Sequence, residues 1–401
     1  MWLQSLSDKT SSHTFHGLES VVFIFIFGLF FTPILLEAAA VLLMVFFIFF
    51  IFQKPALDLT PIHYVILAYC ISAIVAFLVN GQTLNDLPKF LPHFILLSYL
   101  PLSFWSARER DFKTERWTHW IIACGVLAAL VGIVNHFLGK DRTTTTFGGY
   151  FTLAALMSWS IPLTIGHFLQ FESKKSYYYI FFLLLQLLAL WWTFTRSAFL
   201  GLFIGFVVWF VITLFIKKNI KKSSLLKWTI VFSLPLILLL LIFLSNDQRI
   251  NPIAKAESSS SLTVDLSSGR KGIILDALSI INSDLQQMNF SSLVFGHGLS
   301  SYRRLVQSPW ASWESDYLEI LMNQGIVGLI LILLLYFYFL RVVWQGLQSD
   351  SVLTNGVAIS GIIFWIMSFF TLKLVSWHSG GVYLLTLLLL EHFSSRTDKM
   401  K

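Results

Sequence analysis

The sequence predicts an all-α, polytopic membrane protein with about twelve transmembrane helices and one large extracytoplasmic loop between helices 9 and 10. Composition is the first reason: 56% of the 401 residues are hydrophobic and only 12% are charged, whereas soluble domains carry roughly 25% charged residues. The second reason is that apolar runs of near-spanning length recur along the chain. The 39 phenylalanines, 14 tryptophans and 12 tyrosines suit lipid-facing helices with aromatic interface belts.

The apolar segments follow one another along the whole chain, which we treat as a single membrane domain, residues 1–401. They cover residues 19–36, 38–53, 61–79, 89–106, 117–138, 150–171, 177–193, 197–216, 228–245, 316–340, 357–375 and 380–392. The second and last segments are short for a span of about 20 residues. No internal repeat accompanies this pattern.

The basic residues predict the orientation of the helices. Those on the connections after segments 4, 6, 8, 10 and 12 are Arg108, Arg110, Lys113, Arg116, Lys174, Lys175, Lys217, Lys218, Lys221, Lys222, Lys227, Arg341, Arg396, Lys399 and Lys401. Because short cytoplasmic loops are rich in lysine and arginine, this face is expected to be cytoplasmic, with both termini. The net charge of +7 then reflects topology, and no nucleic-acid partner is expected.

The only long polar interval, residues 246–315, lies on the opposite, extracytoplasmic face in this count. Loops on a rigid scaffold often carry function. The same count brings Arg142, Arg196 and His378 to that face, so a functional site is expected there. Within the loop, Gly269–Ile281 has the pattern of a short amphipathic helix that either lies on the membrane surface or packs on the bundle.

Two arginines are candidate anion ligands. Arg196 lies at the seam of two apolar helices, where a charge is costly unless it is paired or faces a polar cavity. One interpretation is that the guanidinium fork of Arg196 holds a phosphate. The other is that Arg196 is an interface arginine whose side chain reaches the lipid headgroups. Arg270 opens the amphipathic helix, whose N-terminus attracts anions, and Lys271 would share that role. For Arg270 the alternative is a solvated loop charge.

Two carboxylates lie where the loop returns to the membrane. Glu314 is placed to act as a general base for a sugar hydroxyl. Ser315 or Asp316 lies near the start of the following helix, and with Glu319 three residues after Asp316 the pattern resembles a capping box. For Asp316 we therefore favour a helix cap. A metal site built from Asp265, Asp276, Asp284 and Glu314 has no compact ligand spacing to support it, and none is expected.

The loop also holds His297, in the turn Phe295-Gly296-His297-Gly298, as either a proton carrier or an ordinary turn residue. The two glycines allow close backbone approach. His378 has a weaker claim on the same face. Cys70 and Cys124 both fall inside apolar segments and are interpreted as buried hydrophobic side chains, not as a disulfide or metal pair.

Three stretches together resemble the O-antigen ligase family, which also includes O-antigen polymerases and some protein O-oligosaccharyltransferases. They are Thr195-Arg196-Ser197-Ala198-Phe199-Leu200, Gly269-Arg270, and Glu314-Ser315 followed after nine residues by Gly325-Ile326-Val327-Gly328. Arg142-Thr143-Thr144-Thr145-Thr146-Phe147-Gly148-Gly149 is similar to a polar stretch of the family ahead of the sixth helix. The family's third motif normally begins with His, where this chain has Glu314.

The resemblance implies a glycosyltransferase of the bacterial inner membrane. Its donor would be a glycan linked to undecaprenyl diphosphate, and its acceptor lipid A–core for a ligase or a second lipid-linked repeat for a polymerase. Arg196 and Arg270 would neutralise the diphosphate and Glu314 would activate the acceptor in an inverting displacement that needs no cofactor. The residues expected to bind substrate are Arg142, Lys271, His297, Arg303, Asp316 and His378. A transporter or flippase for a lipid-linked anion is the alternative of another class.

Overall fold

The computed structural model describes residues 19–53, 59–83, 86, 90–108, 114–140, 142–145, 149–170, 176–215, 233, 270–306, 313, 315–370 and 377–399. Within these ranges the chain is α-helical apart from turns, short 3₁₀ pieces and connections, and it contains no strand. The helices are α1 Glu19–Phe31, α2 Pro33–Gln53, α3 Pro61–Val79, α4 Leu91–Leu97, α5 Tyr99–Arg108, α6 Thr114–Phe137, α7 Tyr150–Gln170, α8 Ser176–Thr193, α9 Arg196–Phe215, α10 Arg270–Gln286, α11 Phe290–Phe295, α12 Ser301–Leu305, α13 Asp316–Gln348, α14 Val352–Ser368 and α15 Trp377–Lys399.

The all-helical prediction is confirmed for this part of the chain, and the predicted apolar segments coincide with helices to within several residues. Two boundaries differ. The first two helices meet at Thr32, one residue before Pro33, and the fourth segment is divided at Ser98 into α4 and α5. The segment 228–245 lies outside the described residues except for Ser233. By length and apolar composition α3, α6, α7, α9 and α13 are each able to cross a membrane, so the protein is a helical membrane protein; the count of twelve spans stays a prediction.

Helix α7 forms the centre of the bundle and packs against α6, α8, α9 and α14. Its residues Leu153–Leu169 are all buried. Close approach is achieved with small residues, as is usual between membrane helices. A β-carbon on Gly356 of α14 would collide with the carbonyl of Pro162 at 2.7 Å, and one on Gly166 would lie in a tight contact, 3.3 Å from the α-carbon of Leu353.

The packing of α9 on α14 shows which helix ends lie together. Gly201 of α9 faces Ile363 and Met367, and Gly205, one turn later, faces Ile359 and Ile363. Rising numbers on α9 therefore meet falling numbers on α14, so the two helices are antiparallel. The N-terminus of α9 consequently lies at the C-terminal end of α14.

The start of α13 lies at this same end. The rings of Tyr317 and Phe369, the residue after α14, have their centroids 4.8 Å apart. The N-termini of α9 and α13 and the C-terminus of α14 thus form one end of the bundle, which we call the loop end because residues 270–306 lie on it.

Helix α10 extends beyond the predicted Ile281 to Gln286. Ile273 and Ala277 are buried with Tyr302, Trp313 and Met322 in a small cluster separate from the main core. The helix therefore packs on the loop and on the start of α13 through one side. Its remaining apolar residues include Ile274, Leu275, Leu278 and Leu285, each more than half exposed.

Helix α13 is broken at Gly325, whose φ of 68° and ψ of −162° are not helical. This backbone region is essentially restricted to glycine. A β-carbon at Gly325 would collide with the carbonyl of Val294, and one at Gly296 would collide with the carbonyl of Asn323. The break is thus where the loop backbone and the α13 backbone touch.

The two parts of α13 fold back on each other at this break. An uninterrupted helix would place Asp316 and Tyr336 about 30 Å apart, at 1.5 Å per residue. Instead their side chains are hydrogen-bonded at 2.7 Å, and the rings of Tyr317 and Tyr336 have centroids 5.5 Å apart. Gly325 therefore lies at the turn between a short first part and a longer second part.

We expect Gly325→Ala to detach the loop from the bundle. The alanine would carry both the conformational cost of this region, about 1–3 kcal/mol, and the steric clash with Val294. Limited proteolysis at the loop should accelerate and the melting temperature should fall. Gly272→Ala is the matched control, because Gly272 is an exposed helical residue of α10 with open space around its α-carbon. Equal proteolysis rates in the two variants would show that the contact does not hold the loop.

Candidate functional site

Arg196 is the first residue of α9 and lies at the loop end of the bundle. The preceding turn is tight, since Phe194 has a φ of 52°, and the Thr195 carbonyl accepts hydrogen bonds from the backbone N–H groups of Ala198 and Phe199. The Arg196 residue is half-buried. A guanidinium and the N-terminus of a helix together favour an anion.

Arg142 lies at the same end, because its segment is tied to the end of α8. The N–H of Thr143 donates to the carbonyl of Trp192 at 3.1 Å, and the Thr143 hydroxyl donates to the carbonyl of Ala189 at 2.9 Å. The Arg142 guanidinium lies over the Tyr150 ring, 4.3 Å from its centroid. That stacking restrains a second cation close to the α8–α9 turn that leads to Arg196.

The loop is attached to the end of α3 by side-chain amides. Asn80 donates to the carbonyl of Gly296 at 3.0 Å. Gln82 forms two hydrogen bonds with the backbone of Leu299: it donates to the carbonyl at 3.0 Å and accepts from the N–H at 2.8 Å. The Asn80 and Gln82 contacts span 216 and 217 positions of the chain, and the sequence carried no signal for them.

The loop is attached to α13 by its backbone. The N–H groups of His297 and Gly298 donate to the carbonyls of Met322 and Asn323 at 2.8 Å and 3.0 Å. In an unbroken helix these carbonyls would accept from residues four positions later. The turn around His297 therefore takes the place of the helical hydrogen bonds that the break at Gly325 removes.

His297 is paired with Asp284. Its Nε2 lies 2.8 Å from Asp284 Oδ2, and the side chains of His297 and Asp284 are 16% and 10% exposed. The other Asp284 oxygen accepts from the amide of Asn289 at 3.4 Å. Arg304 donates from its guanidinium to the His297 carbonyl. The sequence marked Asp284 only as a weak candidate for a metal ligand. Its pairing with His297 could not be predicted from the separation of the two residues along the chain.

The expectation that Asp316 caps α13 was wrong. The N-cap is Ser315, Asp316 is the first helical residue, and it is 1% exposed. The Tyr336 hydroxyl donates to Asp316 Oδ2 at 2.7 Å. Glu319, expected to complete the capping box, accepts from the N–H of Trp313 at 3.1 Å. A buried carboxylate needs hydrogen-bond donors, and Tyr336, in the part of α13 after the break, supplies one.

The other predicted residues are less fully defined. Arg270 is the first residue of α10 and His378 the second of α15, and for these two the structure describes the helix position alone. Lys271 and Arg303 are exposed on α10 and α12. Glu314 lies outside the described residues. No group of three or more metal-ligating side chains occurs in the ranges that the structure describes.

A buried polar cluster beneath the break was missed by sequence reasoning. The Gln324 amide accepts from Ser72 at 2.8 Å and donates to Tyr69 at 3.2 Å, and it lies 3.3 Å from His93 Nε2. Each of these four side chains is buried. Polar residues inside predicted spans are the one signal that would have pointed to them.

Taken together, these contacts describe a helical membrane protein in which Arg142, Arg196, residues 270–306 and the break in α13 lie at one end of the bundle. Residues 181–333, from α8 into α13, match the family model described as O-antigen ligase. This match supports the resemblance to the O-antigen ligase/polymerase family that the motifs indicated. No curated protein matches the chain. The family match supports glycosyl transfer of the ligase or polymerase type, with lipid-linked glycans as the substrate class.

We expect Tyr336→Phe to destabilise the protein by about 1–3 kcal/mol, because the buried Asp316 carboxylate loses a hydrogen-bond donor. Tyr64→Phe is the control, since Tyr64 is 58% exposed on α3. Thermal unfolding in lipid nanodiscs measures both. A melting temperature of Tyr336→Phe equal to that of the control would mean that this hydrogen bond contributes nothing net.

Proposed function

We propose that the protein transfers a glycan from undecaprenyl diphosphate to a lipid A–core acceptor at the periplasmic face of the bacterial inner membrane. The observation that carries this proposal is the O-antigen ligase match over residues 181–333. That stretch contains both arginine motifs and the motif from Glu314 to Gly328. The helix starts that carry Arg196 and Asp316 lie at the loop end of the bundle, which supports a substrate site there.

Arg196 and Arg270 are proposed to hold the diphosphate. Each is the first residue of a helix, where a bound anion gains from both the side chain and the helix N-terminus. Negative charge grows on the diphosphate as its bond to the anomeric carbon breaks. Fixed cations that stabilise such charge often contribute more to catalysis than any other single effect. The diphosphate is a good leaving group, so no nucleotide or metal is required.

The proton of the attacking hydroxyl is proposed to pass to a loop side chain, either Glu314, at the motif position that holds His in the family, or His297. One displacement would invert the anomeric configuration. The residues proposed to contact substrate from the same end are Arg142, Lys271, His297, Arg303 and His378. Asp316, being buried against Tyr336, is proposed to stabilise α13 instead.

A polymerase would use the same donor site with a second lipid-linked repeat as acceptor. We favour the ligase, because the helix plan and the loop position are those expected of it. For the transporter alternative the broken helix α13 is relevant, since transporters often bind substrate at discontinuous helices. Here the carbonyls of Met322 and Asn323 beside the break accept from the loop backbone, so the loop takes the place that a transported ion would need.

We expect Arg196→Ala and Arg270→Ala each to lower glycan transfer by roughly 10²-fold or more. Arg→Lys should rescue poorly, because an ammonium lacks the bidentate fork. Purified protein in nanodiscs would be given a lipid-linked donor with either lipid A–core or a second lipid-linked repeat, which also separates ligase from polymerase. Arg341→Ala, an exposed arginine near the other end of α13, is the control. Near-normal transfer by either alanine variant removes that arginine from the site.

We expect the loop end to face the periplasm and both termini the cytoplasm. In a Cys70→Ala, Cys124→Ala background, a cysteine at the exposed Ser279 of α10 should react with a membrane-impermeant maleimide in intact spheroplasts. A cysteine at Asp350, in the exposed turn between α13 and α14, should react only after lysis. The opposite pattern overturns the orientation and the periplasmic reaction with it.

A further inference from the structure

We propose that Asp284 is a positioning residue that holds His297 in one tautomer, so that Nδ1 of His297 accepts the proton of the acceptor hydroxyl. This inference rests on the proposed glycan transfer. Of the two candidate bases, Glu314 and His297, His297 is then the one that accepts the proton.

The hydrogen bond between the two side chains sets the tautomer. Its Nε2–Oδ2 distance of 2.8 Å is that of a charge-assisted hydrogen bond. An ionised carboxylate only accepts hydrogen bonds, so Nε2 of the neutral imidazole carries the hydrogen. The remaining ring nitrogen, Nδ1, then has a lone pair. This is the tautomer that a proton acceptor at Nδ1 requires.

The backbone of His297 is held on both sides. Its N–H donates to Met322 at 2.8 Å and its carbonyl accepts from Arg304. Gly296 and Gly298 flank it with φ values of 74° and 80°. A turn that serves only to change chain direction does not need its central residue attached to two other helices and a carboxylate.

The His297 turn also lies against the motif that begins with Glu314. That motif ends in Gly325-Ile326-Val327-Gly328, and Gly325 lies directly against Val294 and Gly296. The turn therefore contacts the end of the motif whose usual imidazole is absent from this chain. His297 would supply that imidazole from an earlier part of the loop.

The neighbouring charged groups have other contacts. Arg304 bonds the His297 carbonyl. Glu319 accepts from Trp313 and from Asn323 at 3.1 Å and 3.0 Å. Among the described residues, Asp284 is thus the carboxylate that faces the imidazole.

In the proposed step the acceptor hydroxyl oxygen forms a bond to the anomeric carbon while the bond from that carbon to the diphosphate oxygen breaks. The electron pair of the broken bond leaves with the diphosphate. The hydroxyl proton moves to Nδ1 of His297. The resulting imidazolium is stabilised by the Asp284 carboxylate until the proton passes to water.

The test compares Asp284→Asn, Asp284→Glu, His297→Gln and Glu314→Gln in the transfer assay, with Asp276→Asn as the matched carboxylate-to-amide control on α10. An amide at position 284 would accept from or donate to Nε2 without fixing the tautomer. We expect Asp284→Asn and His297→Gln to lower kcat by about 10²–10⁴-fold with KM changed less than about threefold. Asp284→Glu should retain more turnover than Asp284→Asn, and Asp276→Asn should stay within about tenfold of the parent. Glu314→Gln should lower kcat less than His297→Gln does.

A second measurement detects the tautomer without turnover. With ¹⁵N-histidine labelling, the His297 signal, assigned by its loss in His297→Gln, should show an unprotonated Nδ1 in the parent. In Asp284→Asn the same signal should show a protonated or mixed Nδ1. Melting temperatures check that each variant is folded.

The assay separates the failure of the proposed function from the failure of the pair. If the parent itself transfers no glycan from the lipid-linked donor, the proposed function fails. If the parent is active, four results each overturn the role of the pair: full activity of Asp284→Asn, better rescue by Asn than by Glu, an unchanged tautomer, or a dead Glu314→Gln beside an active His297→Gln.

Discussion

The loop end is held together by the break in α13 and by the turn of the loop that completes it. A helix interrupted near a membrane frees carbonyl groups that lipid cannot satisfy, at a cost of several kcal/mol each. The N–H groups of His297 and Gly298 satisfy two carbonyls of α13 at 2.8 Å and 3.0 Å. These two hydrogen bonds fix which loop residues lie opposite which residues of α13, and so they fix the position of the site residues in the loop.

A buried polar cluster beside the break holds this part of α13 in place. Gln324, the residue before Gly325, bonds Ser72 and Tyr69 of α3 and lies beside His93 of α4. Buried polar groups of this kind are costly unless all partners are in place, so they favour one arrangement of α3, α4 and α13 over others. The residues that follow α3, among them Gln82, bind the loop. Helix α3 and its C-terminal extension thus fix both parts of the junction.

Groups with two different chemical roles, from different parts of the chain, lie at this junction. In the proposed reaction, the helix starts at Arg196 and Arg270 offer cations to an anion, while the turn at His297 and Asp284 offers a paired proton acceptor. Neither role needs a bound metal, because the negative charge is met by arginine and helix dipoles. A rigid junction matters for such a site, since an error of about 1 Å in the placement of reacting groups can cost roughly 10²-fold in rate.

The class of fold and most helix positions could be predicted from the amino-acid order alone, because a span must be apolar for about 20 residues and that demand is local. Helix α3, predicted at 61–79, has those bounds in the structure. The motifs around Arg196, Arg270 and Gly325 were also recognisable, since their residue types and spacing are local properties. Which distant groups meet became known only from the packed bundle. Asp284 pairs with His297, Asp316 with Tyr336 and Gln324 with Ser72, and the last pair is 252 residues apart. Such hydrogen bonds depend on how the helices pack in three dimensions, and a periodic pattern along one chain carries no record of that packing.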